Sequence, residues 1–306
     1  MSARWEDPRW LAQAHDWIEA ELARLGLRRA GKIEQPHVYP WSTVLRVPTD
    51  QGDVWFKANM DSLDHEAALV TLLSARRPDC VPPLLGADLE RGWMLMADAG
   101  TQLRQLQAEE RDLGRWLDVL PLYAGLQLDL AGDAEELLAL GVPDLRLATL
   151  PQRYERLVAE PEVDRRFRDA VPRVAELSAE LAAYGIPETV QHDDFHDGQV
   201  FVRDGRYLLL DWGDACVSHP FFTLSVTLEG MLAWGLDDVE GSVDTAPFRD
   251  AYLAPWAERF DGDLVAAVEI ALRLGWVCRA VAAHAAGGDR ENTPVRLRMF
   301  LDGRPG

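Results

Sequence analysis

The feature that most constrains the fold is an Asp-Gly dipeptide, Asp204 and Gly205, between two short apolar segments. Such a dipeptide favours a two-residue hairpin, because a type I′ turn requires positive φ angles that Asp and Gly tolerate. Pairing the two segments outward from this turn places Gln199 opposite Leu210. The sequence therefore predicts a β-hairpin whose open end brings Gln199 beside Asp211.

A polar loop, residues 192–198, precedes this hairpin and carries several carboxylates. The carboxylates of this loop and of Asp211, with the amide oxygen of Gln199, include hard oxygen ligands of the kind that suit Mg²⁺ bridging nucleotide phosphates. A further carboxylate could align the hydroxyl of an acceptor and take its proton. We interpret Asp193 as a turn residue. Asp194 and Asp211 together indicate a functional site.

The chain up to residue 97 shows the pattern of a small sheet with two helices. Apolar residues at helical spacing predict a helix over 8–25. Asp61 or Ser62 is expected to cap a second helix that runs to about residue 75. Strand patterns cover residues 43–47, 53–57, 84–87 and 93–96.

Helical periodicity dominates the rest of the chain, and one strand-rich stretch at 188–211 interrupts it. The predicted helices cover residues 101–108, 111–128, 150–159, 163–184, 222–234, 247–260 and 264–286. We therefore predict an α+β fold of two lobes. The N-terminal lobe (1–97) consists of a small antiparallel sheet with helices, and the C-terminal lobe (98–306) is mainly helical.

Charge and composition exclude some classes of partner. A formal net charge of −20 argues against a nucleic acid, because binding phosphates requires clustered basic side chains. The acidity would attract a cationic substrate, or it only keeps the protein soluble. No apolar run is long enough to span a bilayer, and the first residues lack the apolar core of a signal peptide. Three widely spaced cysteines suggest reduced thiols, so we expect a cytoplasmic protein; its oligomeric state is left open.

The loop and the strand end that follows carry a resemblance to a known family. His192-x-Asp194-x-His196-x-x-Gln199, followed by an apolar strand ending in Asp211-Trp-Gly, resembles the aminoglycoside phosphotransferase and choline kinase families. The resemblance implies a protein-kinase-like fold that uses Mg²⁺ with ATP or GTP. It implies that Asp194 is the catalytic aspartate and that Gln199 and Asp211 are the metal ligands. His192 would be mainly structural.

Residues earlier in the chain extend the resemblance. Glu66 lies on the same helix face as an apolar stripe, where a carboxylate is costly to bury without a partner. Lys57 with Glu66 resembles the strand lysine and helix glutamate of the kinase fold, although two solvated charges are an alternative. The residues to which the resemblance assigns nucleotide binding are Ser42, Thr43, Lys57, Glu66, Met96 and Ala97.

Three departures from the family pattern are visible. Gln199 stands where asparagine is usual, and the segment expected to cover the phosphates, residues 40–43, contains no glycine. The family often continues after its metal aspartate with Gly-Asp-Pro and an Asp-Leu pair, but residues 218–224 contain no aspartate. Because that aspartate would normally brace the catalytic loop, another residue must do so here.

We interpret the chain as a phosphotransferase that moves the γ-phosphate of ATP or GTP to a hydroxyl of a small acceptor. Asp197, Glu229 and Trp234 are candidates for acceptor binding. An aminoglycoside, another antibiotic, an amino sugar, a plain sugar or an amino alcohol all remain possible. One alternative is a kinase-like protein that binds nucleotide without turnover. The other is a hydrolase in which His192 and His196 join the aspartates around a transition metal.

Overall fold

A computed structural model describes residues 4–160, 163–287 and 290–303. The chain divides into two compact units. The first comprises Met1–Thr101 with Val200–Gly213, and the second comprises Gln102–Gln199 with Asp214–Gly306. The hairpin predicted around Asp204 therefore groups with the N-terminal sheet, although the loop that precedes it belongs to the second unit.

The first unit is built on a five-stranded antiparallel sheet in the order β1-β2-β3-β5-β4. Its strands are β1 (Glu34–Val38), β2 (Ser42–Thr49), β3 (Gly52–Asn59), β4 (Leu84–Asp88) and β5 (Trp93–Ala97). The four strands predicted from alternation are confirmed. In the register of β2 and β3, Val44 lies opposite Lys57 and Thr49 lies opposite Gly52, so the turn falls where it was predicted.

Helix α1 (Pro8–Leu25) has the predicted bounds, and it covers one face of the sheet. The side chain of Asp7 caps it by accepting from the backbone N–H of Arg9, and Gly26 ends it in the left-handed conformation. Its indole rings pack edge-on against the sheet, with Trp17 lying 5.7 Å from Phe56 between ring centroids. This aromatic contact packs against the hydrophobic core of the first unit, which includes Ile18 of the helix and Leu45 and Phe56 of the sheet.

The start of helix α2 (His65–Arg76) differs from the prediction. Neither Asp61 nor Ser62 caps it, because Asp61–Leu63 form a separate 3₁₀ turn and the helix begins at His65. The side-chain amide of Asn59 donates to the carbonyl of Leu63 at 3.1 Å and so holds the turn against the end of β3. The later start places Glu66 in the first turn of the helix.

The hairpin of β8 (Val200–Arg203) and β9 (Arg206–Leu209) also belongs to the first unit, and its predicted register is confirmed. Arg203 pairs with Arg206, and both turn residues have positive φ, 51° for Asp204 and 74° for Gly205. The described pairs end at Val200 and Leu209, so the proximity of Gln199 to Asp211 stays a prediction.

The second unit is mainly helical. A two-residue strand, β6 (Thr101–Gln102), precedes it, and strands β7 (Thr189–Gln191) and β10 (Cys216–Ser218) form an antiparallel pair within it. Its helices are α3 (Leu103–Glu110), α4 (Trp116–Asp129), α5 (Ala134–Ala139), α6 (Leu150–Val158), α7 (Arg165–Arg168), α8 (Val171–Ala182), α9 (Ala246–Ala257), α10 (Leu264–Ala286) and α11 (Thr293–Asp302). None of the described helices is long and apolar enough to cross a membrane.

Two predicted helices of this unit are divided in the structure. Residues 163–184 form α7 and α8, because Pro172 fits only the first turn of a helix. Residues 222–234 form a π-helical segment, Ser225–Met231, followed by a 3₁₀ turn. Gly275 allows α10 to approach this segment closely. A Cβ at Gly275 would lie 2.0 Å from Ser225 Oγ and 2.7 Å from the carbonyl oxygen of Phe222.

Candidate active site

Lys57, Glu66 and Asp211 form an ionic group in the first unit, which we call the lysine cluster. The ammonium of Lys57 lies 2.7 Å from a carboxylate oxygen of Glu66 and 2.5 Å from Oδ1 of Asp211. The side chain of Glu66 is 2% exposed and that of Asp211 is 51% exposed. The predicted pairing of Lys57 with Glu66 is therefore present, and Asp211 joins it.

The local fold explains this geometry. Lys57 lies on β3 between Val44 and Met94 of the neighbouring strands, and Glu66 starts α2. Glu66 also accepts from the backbone N–H of Trp212 at 2.9 Å, which ties the segment after Asp211 to the helix. Burial alone would lower the pKa of Lys57, but the charges of Asp211 and Glu66 overcome this and raise it. Lys57 is therefore a fixed cation.

The two hydroxyl residues predicted to contact phosphate are held at the start of β2. Both are buried. Thr43 Oγ1 donates to the carbonyl of His37 at 2.8 Å and accepts from the amide of Gln35 at 3.0 Å. Ser42 Oγ lies 3.3 Å from His37 Nε2. These bonds tie the turn between β1 and β2 together, which explains how it keeps its shape without glycine; the phosphate role of Ser42 and Thr43 stays a prediction.

Met96 and Ala97, the predicted adenine contacts, end strand β5. Met96 lies opposite Trp55 of β3, and Ala97 donates its backbone N–H to the carbonyl of Pro83 at 2.9 Å. Because that N–H is already bonded within the sheet, Ala97 cannot offer it to a nucleobase in this arrangement. Adenine binding by these two residues stays a prediction.

The predicted catalytic loop in the second unit is anchored through its backbone. The N–H of His192 donates to the hydroxyl of Tyr123 at 2.9 Å, and the hydroxyl of Thr227 donates to the carbonyl of Phe195 at 2.7 Å. The ring of Phe195 is fully buried and stacks on Tyr123 with centroids 4.2 Å apart. The loop is therefore rigid despite its polar sequence.

A buried arginine, which the sequence analysis did not single out, binds the carboxylates of this loop. Arg279 of α10 contacts Asp194 Oδ1 through Nη2 at 2.6 Å. Its Nη1 lies 3.1 Å from Asp214 and 3.3 Å from Asp193. We call these four residues the arginine cluster. Arg279 thus binds side chains of this loop, whereas Tyr123 and Thr227 bind its backbone.

The electrostatics of the arginine cluster separate its two adjacent aspartates. Burial raises the pKa of Asp193 to about 6, although Arg279 opposes the shift. Asp194 is also largely buried, which by itself would raise its pKa, but Arg279, His196 and His192 together outweigh burial and lower it. Asp194 is therefore ionised at neutral pH, and its side chain is 25% exposed. Asp193 is only 1% exposed, which agrees with a structural rather than a substrate-binding role.

His196 links the remaining loop residues. Its Nε2 faces Asp194 Oδ2 at 3.6 Å, and its Nδ1 lies 2.9 Å from the backbone nitrogen of Gly198. Burial lowers the pKa of His196, but Asp194 and Asp197 outweigh burial and raise it to about 9. The amide nitrogen of Gln199 lies 3.5 Å from His196 Nε2. Asp197, a predicted acceptor contact, is bound by Arg104 at 2.7 Å, and its role towards an acceptor stays a prediction.

Glu229 and Trp234, the other predicted acceptor residues, lie together around the π-helical segment. Glu229 Oε2 accepts from the indole N–H of Trp276 at 2.6 Å. The indole N–H of Trp234 donates to the backbone carbonyl of Glu229 at 3.1 Å. All three side chains are half-buried. Trp276 was missed because indole residues at helical spacing usually belong to the core.

The three cysteines are free and buried. Cys216, Cys278 and Asp193 place one donor atom each within 4.8 Å of one another, a grouping that the sequence spacing did not reveal. Burial raises the pKa of the Cys278 thiol well above its ordinary value, and Arg279 already binds Asp193. A protonated thiol is a poor metal ligand. The grouping therefore does not support the transition-metal alternative.

Several solved structures share this fold. Macrolide 2′-phosphotransferase type I is 16% identical, with a TM-score of 0.59 over 96% of this chain and 97% of that chain. The GDP and kanamycin complex of APH(2″)-IIia is 13% identical, with a TM-score of 0.61 over 94% and 98% of the two chains. Ethanolamine kinase from Plasmodium vivax is 10% identical, with a TM-score of 0.65 over 97% and 89%. These likenesses confirm the predicted two-lobed, protein-kinase-like fold.

The family follows from the sequence. No curated protein matches the chain significantly. The model of the phosphotransferase enzyme family matches residues 38–267, a span that contains the lysine cluster, the catalytic loop and the π-helical segment. The match covers well over half of the chain and confirms the resemblance seen in the loop motif. The chain belongs to the phosphotransferase enzyme family.

Proposed function

We propose that the protein transfers the γ-phosphate of ATP or GTP to a hydroxyl of a small, cationic acceptor. The observation that carries this proposal is the lysine cluster, in which the ammonium of Lys57 binds both Glu66 and Asp211. In kinase chemistry such a lysine positions the phosphates of the nucleotide. A fixed cation in a sheet next to a half-exposed carboxylate suits that role.

The proposed chemistry assigns one step to each group. The acceptor oxygen bonds to the γ-phosphorus while the bond from phosphorus to the β–γ bridging oxygen breaks, and a nucleoside diphosphate leaves. Asp194 accepts the proton of the attacking hydroxyl. Its partial exposure and its ionised state fit this role, because a base must be both reachable and deprotonated.

Mg²⁺ fits the residues that we propose as its ligands. The carboxylate of Asp211 is half-exposed and bound to Lys57 through Oδ1, so it can present oxygen to a cation. Gln199 adds an amide oxygen, and both donors are of the hard type that Mg²⁺ prefers. The ion would neutralise charge that develops on the phosphates.

The acceptor-binding residues favour a cation. Glu229 is a half-buried carboxylate held in place by Trp276, and Trp234 lies beside it. A half-buried carboxylate suits an ammonium group because its negative charge attracts the cation. The net charge of −20 adds long-range attraction for the same class. Among the proteins of similar fold, one is named for macrolides, one for ethanolamine, and one is a complex with GDP and kanamycin. The fold therefore does not identify the acceptor.

The test is a screen for release of nucleoside diphosphate with Mg²⁺ and either ATP or GTP. Its acceptors should include aminoglycosides, macrolides, amino alcohols and neutral sugars. We expect turnover with at least one cationic acceptor. Asp194→Asn should abolish that turnover while the nucleotide still binds, because the amide cannot accept the proton. Asp204→Asn, at the exposed hairpin turn, is the matched control and should keep full activity.

Two outcomes would contradict the proposal. Wild-type turnover in Asp194→Asn would exclude Asp194 as the catalytic aspartate. A nucleotide-induced thermal shift that ignores Mg²⁺, with no diphosphate released for any acceptor, would instead indicate the binding protein without turnover.

A further inference from the structure

The two oxygens of the Asp194 carboxylate have different surroundings. Arg279 Nη2 binds Oδ1 at 2.6 Å, whereas Oδ2 faces His196 Nε2 at 3.6 Å. The short contact is within the range of a strong charge-assisted hydrogen bond, and the longer one is not. Rotation of the carboxylate is therefore restricted by Arg279, and Oδ2 is the oxygen with lone pairs to spare.

The side chain of Arg279 is itself fixed by contacts on its other nitrogen. It is buried, and its Nη1 is bound by Asp214 and Asp193. Helix α10 brings it there through Gly275, the point of closest approach to Ser225 and Phe222. A planar guanidinium with two nitrogens bound to separate carboxylates fixes direction as well as charge, which a lysine could not do.

We propose that Arg279 is a positioning residue for phosphotransfer: it fixes Asp194 through Oδ1 so that Oδ2 points to the acceptor hydroxyl. This inference rests on the proposed function and deepens it. In this chain Arg279 thereby takes over orientation of the catalytic loop, where residues 218–224 lack the aspartate common in the family.

A simpler role must be separated from this one. Arg279 could serve only to compensate the buried charge of Asp193, which is 1% exposed. Replacing Arg279 alone would then harm the protein through Asp193, whatever happened at Asp194. The Asp193→Asn background removes that charge, so it isolates the contact between Arg279 and Asp194.

The experiment compares Asp193→Asn with the double variant Asp193→Asn/Arg279→Met. We expect kcat of the double variant to fall about 10-fold to 100-fold below that of its background, with the KM for nucleotide unchanged. Adding Arg279→Lys to the same background should restore little of kcat, because the single ammonium lacks the fork. Equal kcat values for the double variant and its background would overturn the proposal and leave Arg279 a structural partner of Asp193.

A second readout does not need turnover. The pKa of Asp194 is affected most by burial, Arg279, His196 and His192, and the carboxylates of Asp193 and Asp214 share Arg279 with it. Carbon-13 NMR of the Asp194 carboxyl should show its pKa rising when Arg279→Met is added to the Asp193→Asn background. An unchanged titration would also overturn the proposal. If the wild-type protein phosphorylates nothing, the proposed function fails, and this titration still decides whether Arg279 controls Asp194.

Discussion

The lysine cluster and the arginine cluster solve the same electrostatic problem in different ways. In the lysine cluster, one compact ammonium serves two carboxylates, and Asp211 remains half-exposed. In the arginine cluster, one guanidinium serves three carboxylates, of which Asp193 is almost fully buried. A point charge suffices where one partner still reaches water. A forked cation is needed where several acids must be held in fixed directions.

The two clusters therefore differ in what their carboxylates contribute to stability. Glu66 is buried but receives hydrogen bonds from the ammonium of Lys57, the amide of Asn59 and the backbone of Trp212. Asp193 shares its cation with two other acids, and burial shifts its pKa upward. We expect that removing the charge of Lys57 from the lysine cluster lowers the stability of the protein. We expect that the negative charge of Asp193 in the arginine cluster is itself destabilising.

The largest losses of stability and of turnover are expected from Lys57→Met, which removes the cation of the lysine cluster. The change leaves Glu66 buried without its cation, so unfolding in urea should show a loss of about 3–5 kcal/mol. Turnover should fall by about 100-fold or more, because the phosphates lose a fixed positive charge. Lys32, the other lysine of the chain, is exposed, and Lys32→Met is the matched control. Equal stability of the two variants would contradict the importance of the cluster.

The same contrast explains what could be predicted from the sequence. Lys57 stood out because arginine supplies the other basic residues apart from Lys32, and Glu66 stood out because it leads an apolar stripe. Asp194 and Asp211 were found through the hairpin and the loop motif, and the sheet through simple alternation. The roles of these residues in the reaction remain predictions.

Arg279 gave no such signal. It is one of many arginines, and its partner Asp193 lies 86 residues away, so only the packing of α10 brings them together. Two of the helix boundaries that were wrong also involve tertiary contacts, whereas the division of residues 163–184 reflects Pro172. The π-helical segment follows from the close contact of Gly275 with Ser225, and the 3₁₀ turn before α2 follows from the bond between Asn59 and Leu63. Such tertiary contacts override local periodicity.

Asp193 should make the stability of the protein depend on pH. The folded-state pKa of Asp193 is raised from 3.8 to about 6, so its contribution to stability is present below pH 4 and is lost as the pH rises through 6. Asp193→Asn removes this dependence. The stability of the variant relative to wild type should therefore increase by about 3 kcal/mol between pH 4 and pH 8.

Urea unfolding of both proteins across this pH range measures the effect. Glu66→Gln is the counterpart in the lysine cluster and should be destabilising by about 1–3 kcal/mol at pH 8, because the buried ammonium of Lys57 loses one of its two charge partners. If Asp193→Asn and Glu66→Gln changed stability in the same direction at pH 8, the two clusters would not differ as argued.

The smallest effect is expected from moving His196 without altering any charged residue. A Cβ on Gly198 would lie 2.6 Å from Cε1 and 2.9 Å from Nδ1 of the His196 ring. Gly198→Ala must therefore displace the ring from Asp194 Oδ2, with an expected loss of about 1 kcal/mol in stability. If the displaced ring raises the barrier by a similar amount, kcat falls roughly fivefold.

The matched control is Gly132→Ala, because a Cβ at Gly132 meets nothing within 4 Å. This variant should keep wild-type kcat. A loss of stability in Gly198→Ala with no change in kcat would show that Oδ2 works without the imidazole beside it. Asp194 would then be oriented by Arg279 and by the backbone contacts of its loop with Tyr123 and Thr227, without a contribution from His196.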